Sequence, residues 1–292
     1  MVKKYAWNQF DTLQTAAEFD EYFEEQKYSH SQYCHYTSLR TINSILHGET
    51  FRLSNVGGFN DKWDRAQFVP SNKYFSLCFA TGVNENLSLW YLYSGMNGQG
   101  GRIRLTDAQF RRLANCNTFM LCESDEKGNK IREVCILEPN KSIKITVNDV
   151  LYYRERPNKD VCDLKYNTMT HHKFLKEELR KYQQSHNGFS KGLIWYFEKE
   201  TRILCELIGE GLDKIEAGKR YFIEMPIHKR VINNLKIDLA PEISAENAPT
   251  ILESYDKIKQ LFGDSSRVNL SEFAGSIEMK LCNKCEKANR TK

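Results

Sequence analysis

The chain has 292 residues, of which 40% are hydrophobic and 27% charged, so it is long enough for one large domain or two small ones. Its formal net charge of +4, from 42 basic and 38 acidic residues, is too small to indicate a nucleic-acid-binding protein. No apolar window of about eighteen residues occurs, and the N-terminus lacks an apolar signal core, so we expect a cytoplasmic protein without a membrane span.

Nine cysteines are scattered along the chain, mostly in apolar runs, as is typical of small buried residues in a reducing compartment. The closest pair is Cys282 and Cys285, near the C-terminus. A structural zinc site usually takes four ligands from two such pairs, and the sequence has no second Cys-x-x-Cys. We therefore expect no metal site within the chain. The alternatives for this C-terminal segment are that it is disordered or that its two cysteines bind a metal shared between chains.

The first half of the chain predicts helices and strands in irregular alternation. Residues 14–27 predict an amphipathic helix, and the aromatic run around His35 predicts a strand that turns at Ser38 into a second amphipathic helix. The elements that follow are a strand at 51–54, a loop at 55–64, a strand at 74–80, an aromatic helix at 86–93, a strand at 102–105 and a helix at 106–114 capped by Thr106.

The second half predicts further strands and two helices. The strands are at 131–137, 143–146, 150–153, 201–207 and 220–225, with a final one at 277–281, and the helices are at 168–184 and 245–262. This irregular order predicts an α+β fold rather than a regular βαβ series. We expect one domain over residues 1–262 with a helical insertion near 160–190, followed by an extension over 263–292.

His35 is the first candidate for chemistry, because a strand-to-helix turn is a common place for side chains that bind ligands. The alternative is a half-buried histidine in a strand, which the segment by itself favours.

Glu198, Glu200 and Arg202 form the second candidate. In an extended chain their side chains share one face, and Arg202 can compensate the repulsion between the two carboxylates through charge-assisted hydrogen bonds. One carboxylate could then face a developing positive charge. The alternative is an edge strand with a surface salt bridge.

Asn60 and Asp61 lie in a glycine-containing loop, where such residues commonly stabilise turns through their own backbone. Trp90 and Tyr93 belong to a dense aromatic run that is typical of a core, although an exposed member could stack on a planar ring. The sequence has no phosphate-binding glycine loop, dinucleotide fingerprint, nucleophile elbow or His-Glu-x-x-His motif.

Four segments then occur in one order, and this order carries a resemblance. They are His35-Tyr36-Thr37-Ser38; Phe51 to Ser54 with Phe59-Asn60-Asp61; Phe75 to Phe79 with Trp90 and Tyr93; and Glu198-Lys199-Glu200 with Arg202. The order resembles a bacterial family known as a domain of unknown function, whose members read His-Tyr-Thr-Ser, Phe-Asn-Asp, Trp-x-x-Tyr and Glu-Lys-Glu-Tyr-Arg. That family is similar to the ADP-ribosyltransferase superfamily, and the match spans roughly residues 30–262.

The resemblance implies a split mixed sheet with flanking helices, and a site that uses NAD as co-substrate without a metal. It implies that His35 positions the NAD ribose, that Tyr36, Thr37 and Ser38 supply hydrogen bonds nearby, and that Glu200 is the catalytic carboxylate, with Glu198 as second choice. The residues implied to shape the NAD site are Asn60, Asp61, Trp90, Tyr93 and Arg202.

The function implied is transfer of ADP-ribose from NAD to a protein or nucleic acid with release of nicotinamide, in a bacterial toxin or an effector of anti-phage defence. A regulatory or antitoxin partner is compatible with that role, and no membrane is involved. The alternatives are an NAD glycohydrolase and a non-catalytic binding protein that retains the fold.

Overall fold

The computed structural model describes residues 7–26, 29–82, 84–94, 99–166, 172–262 and 267–274. Residue contacts divide the chain into two compact units. The first comprises Met1–His35, Gly48–Val83 and Leu105–Asn234, and the second comprises Tyr36–His47, Asn84–Arg104 and Leu235–Lys292. None of the helices in the described ranges is long and apolar enough to cross a membrane.

The helices and strands of the described residues confirm the prediction of a mixed α+β protein. The α-helices are α1 (Ala16–Gln26), α2 (Leu39–Gly48), α3 (Lys62–Ala66), α4 (Leu87–Tyr93), α5 (Asp107–Ala114), α6 (Lys176–Ser185), α7 (Lys229–Ile232), α8 (Ala248–Leu252) and α9 (Asp256–Phe262). The strands are β1 (Gln32–Ser38), β2 (Thr50–Asn55), β3 (Tyr74–Thr81), β4 (Gly100–Thr106), β5 (Phe119–Ser124), β6 (Lys130–Leu137), β7 (Ile143–Asp149), β8 (Leu151–Glu155), β9 (Val161–Lys165), β10 (His172–Leu175), β11 (Ser190–Gly192), β12 (Glu200–Leu207), β13 (Arg220–Pro226), β14 (Lys236–Leu239) and β15 (Val268–Asn269).

Strands β3 and β12 form the centre of the main sheet of the first unit. Most residues of both strands are buried, as is typical of strands covered on both faces, although β12 also carries the charged residues Glu200 and Arg202. They pair antiparallel, from Glu200 opposite Ala80 to Glu206 opposite Tyr74, and β7 pairs with the other edge of β12. The segment that carries Glu200 is therefore an interior strand.

The second edge of β3 is shared by two strands. β1 pairs with one end of β3, where Cys34 lies opposite Ala80, and β2 pairs with the other end, where Ser54 lies opposite Ser76. β13, β5 and β6 follow β2 in antiparallel order. Between the segments of β3 that pair with β1 and with β2, the carbonyl oxygen of Cys78 accepts a hydrogen bond of 3.0 Å from the Nδ1–H group of His35, on β1.

A second sheet of the first unit has the order β10-β9-β8-β11, with β8 and β11 parallel and the other pairs antiparallel. It packs with α1 and α6 around a core that is mostly aromatic: Phe10, Phe19, Tyr22, Phe23, Tyr166, Phe174 and Tyr182. The helix predicted at 168–184 begins only at Lys176, because residues 172–175 pair with β9 instead. Residues 167–171, including His171, lie outside the described residues.

The second unit contains an antiparallel pair, β4 and β14, and β15 pairs parallel with β14. The helix predicted at 245–262 is two helices, α8 and α9. The break is stabilised because the side chain of Asn43, on α2, accepts a hydrogen bond of 3.2 Å from the backbone N–H of Lys257 in the first turn of α9. The strand predicted at 277–281 and the Cys282–Cys285 pair lie outside the described residues.

Candidate functional site

The chain bends sharply just before Arg202. A 3-10 helix, Leu193–Glu198, ends at Lys199, whose φ of 43° is left-handed, and β12 begins at the next residue, Glu200. The bend is anchored because the carbonyl oxygen of Lys199 accepts hydrogen bonds from the backbone N–H and the hydroxyl of Thr81, at 2.9 and 2.8 Å. The prediction of an extended segment is therefore wrong for Glu198 and confirmed for Glu200 and Arg202.

Arg202 donates hydrogen bonds to two carboxylates and one backbone carbonyl. Its Nε and Nη2 groups donate to Glu200 at 2.6 and 3.1 Å, and its Nη1 and Nη2 groups donate to Asp64 at 2.8 and 2.5 Å. Nη1 also donates to the carbonyl oxygen of Gly188 at 2.6 Å. Each carboxylate is held at two points, the geometry that suits a guanidinium group. The alternative of a surface salt bridge on an edge strand is wrong, since β12 is an interior strand.

Lys191 supplies a second positive charge. Its ammonium nitrogen lies 2.6 Å from Glu198, 3.5 Å from Glu200 and 3.8 Å from Asp64. Five side chains form one charge cluster: Asp64, Lys191, Glu198, Glu200 and Arg202. All five are buried, with at most 7% of any residue exposed. Because buried charges are costly unless they are paired, this arrangement depends on the opposite charges lying within 4 Å of each other.

The cluster fixes the protonation states of Glu200, Lys191 and Arg202. Burial alone would raise the pKa of Glu200, but the charges of Arg202 and Lys191 outweigh it and lower the pKa to about 2. Burial would lower the pKa of Lys191, but Glu200 and Glu198 raise it above its ordinary value. The pKa of Arg202 is raised in the same way by Glu200 and Asp64. All three groups are therefore charged at neutral pH.

Two neutral polar groups border the cluster. The hydroxyl oxygen of Tyr152 accepts a hydrogen bond of 2.9 Å from the backbone N–H of Glu200. Burial, together with the charges of Glu200 and Glu198, raises the pKa of Tyr152 well above its ordinary value. Burial and the charge of Glu200 also raise the pKa of the Cys78 thiol. The phenol and the thiol are therefore protonated, and neither is an anionic nucleophile at neutral pH.

Aromatic and apolar side chains accompany these charges. The ring centre of Phe59 lies 5.2 Å from the guanidinium carbon of Arg202, and that of Trp195 lies 4.9 Å from the ammonium nitrogen of Lys191. Trp63, which adjoins Asp64 in the chain, is 82% exposed, and Ile194, beside Trp195, is 81% exposed.

The structure does not bring His35 and Glu200 together. Residues directly opposite each other in an antiparallel pair share a face of the sheet, and neighbours along a strand point to opposite faces. Cys34, Ala80 and Glu200 lie at one level of the sheet and therefore share a face. His35 points to the other face, where its ring centre lies 5.7 Å from that of Phe79. Burial lowers the pKa of His35, which keeps the imidazole neutral.

Tyr36, Trp90 and Tyr93 belong to the second unit. The hydroxyl oxygen of Tyr36 accepts a hydrogen bond of 3.0 Å from Nη1 of Arg102, and its ring packs edge-on against Trp90 at 4.9 Å. Trp90 is fully buried, and its indole N–H donates to Glu85 at 3.0 Å. Tyr93 is 38% exposed. Of the three rings, only that of Tyr93 is exposed enough to stack on a ligand in this conformation.

Two of the smaller predicted site residues, Ser38 and Asp61, stabilise the start of a helix. Ser38 opens α2, as predicted, because its hydroxyl oxygen accepts a hydrogen bond of 3.1 Å from the backbone N–H of Thr41. Asp61 caps α3 by accepting one of 2.9 Å from the N–H of Trp63. Thr37 is half-buried and Asn60 is exposed.

Sequence reasoning missed Asp64, Lys191 and Tyr152, which surround Glu200. The signal available for Lys191 was indirect: a guanidinium beside two carboxylates leaves one negative charge uncompensated, and in a buried site this requires a second cation. No such signal indicated Asp64. Nothing in the local pattern of Lys191 or Tyr152 indicated that these residues are partners of Glu200. Their identity depends on the parallel pairing of β11 with β8, which aligns Lys191 with Tyr152.

Comparisons of the chain with protein-family models, with curated proteins and with solved structures found no match. In the described part of the chain, no group of three or more His, Cys, Asp or Glu side chains is arranged to hold a metal ion.

Proposed function

We propose that the protein cleaves the bond between nicotinamide and ribose in NAD at Glu198 and Glu200 and transfers the ADP-ribose to a macromolecular acceptor. The observation that supports this is the pair of buried carboxylates held by Lys191 and Arg202 in one charge cluster. Breaking this glycosidic bond passes through an oxocarbenium-like state, as in glycoside hydrolysis. A fixed carboxylate in a site of low dielectric constant stabilises that developing charge more than it stabilises the ground state.

The two carboxylates have different roles in the proposal. Glu200 is fixed by Arg202 at two points, so it provides a preorganised negative charge that needs no reorganisation during the reaction. Glu198 orients the acceptor nucleophile or takes its proton. NAD carries its own leaving group, so nicotinamide departs with the electron pair of the broken bond, and the acceptor oxygen or nitrogen forms the new bond to the ribose carbon.

The proposal departs from the resemblance at His35, which lies on the opposite face of the sheet from Glu200 and is given no catalytic part. It retains the ADP-ribosyltransferase-like fold, with support from the order of the four motifs and from the sharing of one edge of β3 by β1 and β2. The toxin or anti-phage role and a regulatory partner are parts of the proposal that rest on the resemblance alone. The cytoplasmic location is a further part of the proposal, and it rests on the sequence having no apolar window long enough to span a membrane.

The test is incubation of the purified protein with NAD labelled in its adenylate phosphate, together with a bacterial lysate separated afterwards into protein and nucleic acid. Label retained on either fraction supports transfer. Release of free ADP-ribose alone supports the alternative of an NAD glycohydrolase. If the NAD stays intact in every fraction, the proposal is wrong and the non-catalytic alternative gains support.

Glu200→Gln keeps the shape of the side chain and removes its charge, so it should abolish turnover. Asp163→Asn is a matched control, because Asp163 is also a buried carboxylate held at two points by an arginine, Arg156, at 3.0 and 2.7 Å. It lies on the second sheet, outside the charge cluster, and should retain turnover. Equal loss in both variants would indicate a general loss of folding, which circular dichroism would detect.

A further inference from the structure

Lys191 lies beside the two glutamates, and the backbone around it is held by hydrogen bonds. It lies on β11, whose pairing with β8 places it beside Tyr152. The preceding residue, Ser190, is fully buried, and its carbonyl oxygen accepts a hydrogen bond of 2.8 Å from the side chain of Gln67. With its backbone fixed on both sides, the lysine stem can place its ammonium group among the carboxylates with little loss of freedom.

The two cations make their shortest contacts with different acids. The hydrogen bonds of Arg202 go to Glu200, Asp64 and the Gly188 carbonyl, and the shortest contact of Lys191, at 2.6 Å, goes to Glu198. Lys191 therefore ties Glu198 to Glu200 and Asp64. Without it, three buried carboxylates would share one guanidinium.

We propose that Lys191 is a positioning residue, whose ammonium group holds the Glu198 carboxylate beside Glu200 and supplies the charge that lets both stay ionised in a buried site. The catalytic consequence rests on the proposed function, whereas the electrostatic role does not. Lys191 is not a nucleophile in this scheme. An amine must lose its proton to attack, and the neighbouring carboxylates hold the proton on Lys191.

The first test compares the pH dependence of kcat/KM for NAD in the unmodified protein, Lys191→Met and Lys191→Arg. Loss of a cation from beside a carboxylate raises its pKa by about 1–3. The acid limb of the methionine variant should therefore move up by about 1–3 pH units, and the arginine variant should keep the original limb. Lys73→Met is the matched control, because Lys73 also lies 2.6 Å from a glutamate, Glu206, outside the cluster.

The second test does not need turnover. Infrared spectra recorded as the pH is lowered should show the band of a protonated carboxyl group in Lys191→Met at a pH about 1–3 units higher than in the unmodified protein. This upward shift should be lost in the double variant Lys191→Met/Glu198→Gln. That double variant also restores the balance of charge, so it remains informative if the single methionine variant does not fold.

The outcomes separate the inference from the proposed function. An unchanged acid limb in a folded Lys191→Met variant that turns over NAD would overturn the inference and leave the function standing. If the unmodified protein does not turn over NAD, the proposed function fails and the infrared band decides the inference alone. A band that appears at the same pH in the folded methionine variant and in the unmodified protein would then overturn it.

Discussion

Replacing Glu200 by glutamine tests whether this carboxylate is held in its charged form inside the protein. Burial would raise its pKa, but Arg202 and Lys191 lower it from the ordinary 4.5 to about 2. A group whose pKa is lowered by folding adds stability above its ordinary pKa, and this contribution is lost as the pH falls through the lowered value. Since each pKa unit corresponds to about 1.4 kcal/mol, the difference is worth about 3 kcal/mol at neutral pH.

Glu200→Gln should therefore unfold with a free energy about 3 kcal/mol lower than that of the unmodified protein near neutral pH. The deficit should shrink as the pH is lowered from about 5 towards about 2, because the unmodified protein then loses the same contribution. Urea titrations at a series of pH values give both free energies. Glu133→Gln is the control, because the Glu133 side chain is 59% exposed, and its removal should cost less than about 1 kcal/mol.

A deficit of the Glu200 variant that stays constant with pH would refute this reasoning. The loss would then come from packing or from a hydrogen bond that glutamine makes poorly, and not from the charge of the carboxylate.

Two further substitutions test whether His35 lies outside the site and whether close packing stabilises Gly188, whose carbonyl oxygen accepts a hydrogen bond from Arg202. His35→Phe should leave NAD cleavage unchanged in the assay with labelled NAD. It should lower the free energy of unfolding by about 1–3 kcal/mol, because the Cys78 carbonyl oxygen loses its hydrogen-bond donor. Loss of cleavage in a folded variant would show that His35 does belong to the site. Gly188→Ala should cost about 2–4 kcal/mol in urea titrations, because φ is +85° and the new Cβ would lie 2.4 Å from the Phe68 ring. Gly128→Ala, with φ of +81° and open space, should cost only about 1–2 kcal/mol, and equal losses would contradict the packing argument.

Elements that depend on neighbouring residues could be predicted from the sequence. The helix predicted at 106–114 is observed as α5 because Thr106 and Gln109 form a capping box, each side chain accepting from the backbone of the other. Elements that depend on distant residues could not. His172 carries the same local pattern whether it lies in a helix or a strand, and its pairing with Leu164 on β9 decides for the strand.

Only those members of the charge cluster that are close together in the chain could be predicted from the sequence. Glu200 and Arg202 lie two residues apart on one strand, so their meeting could be inferred from spacing, whereas Glu198 lies in the preceding 3-10 helix and contacts the cluster through Lys191. Asp64 lies 138 residues from Arg202 in the chain, and only the fold brings them together. A motif order can therefore indicate which short segments matter, but it does not identify the buried partners that set their charge.

His35 shows most clearly what motif order leaves open. Because side chains alternate along a strand, a shift of one residue in the pairing of β1 with β3 would move His35 to the face of Glu200. The observed register places Tyr33 in a fully buried stack on Phe110, with ring centres 3.8 Å apart, and a shift would remove Tyr33 from that stack. The same register lets His35 donate to Cys78 where β1 and β2 share the edge of β3. The packing of Tyr33 and the hydrogen bond of His35 therefore select one register, and that register separates the imidazole from the carboxylates.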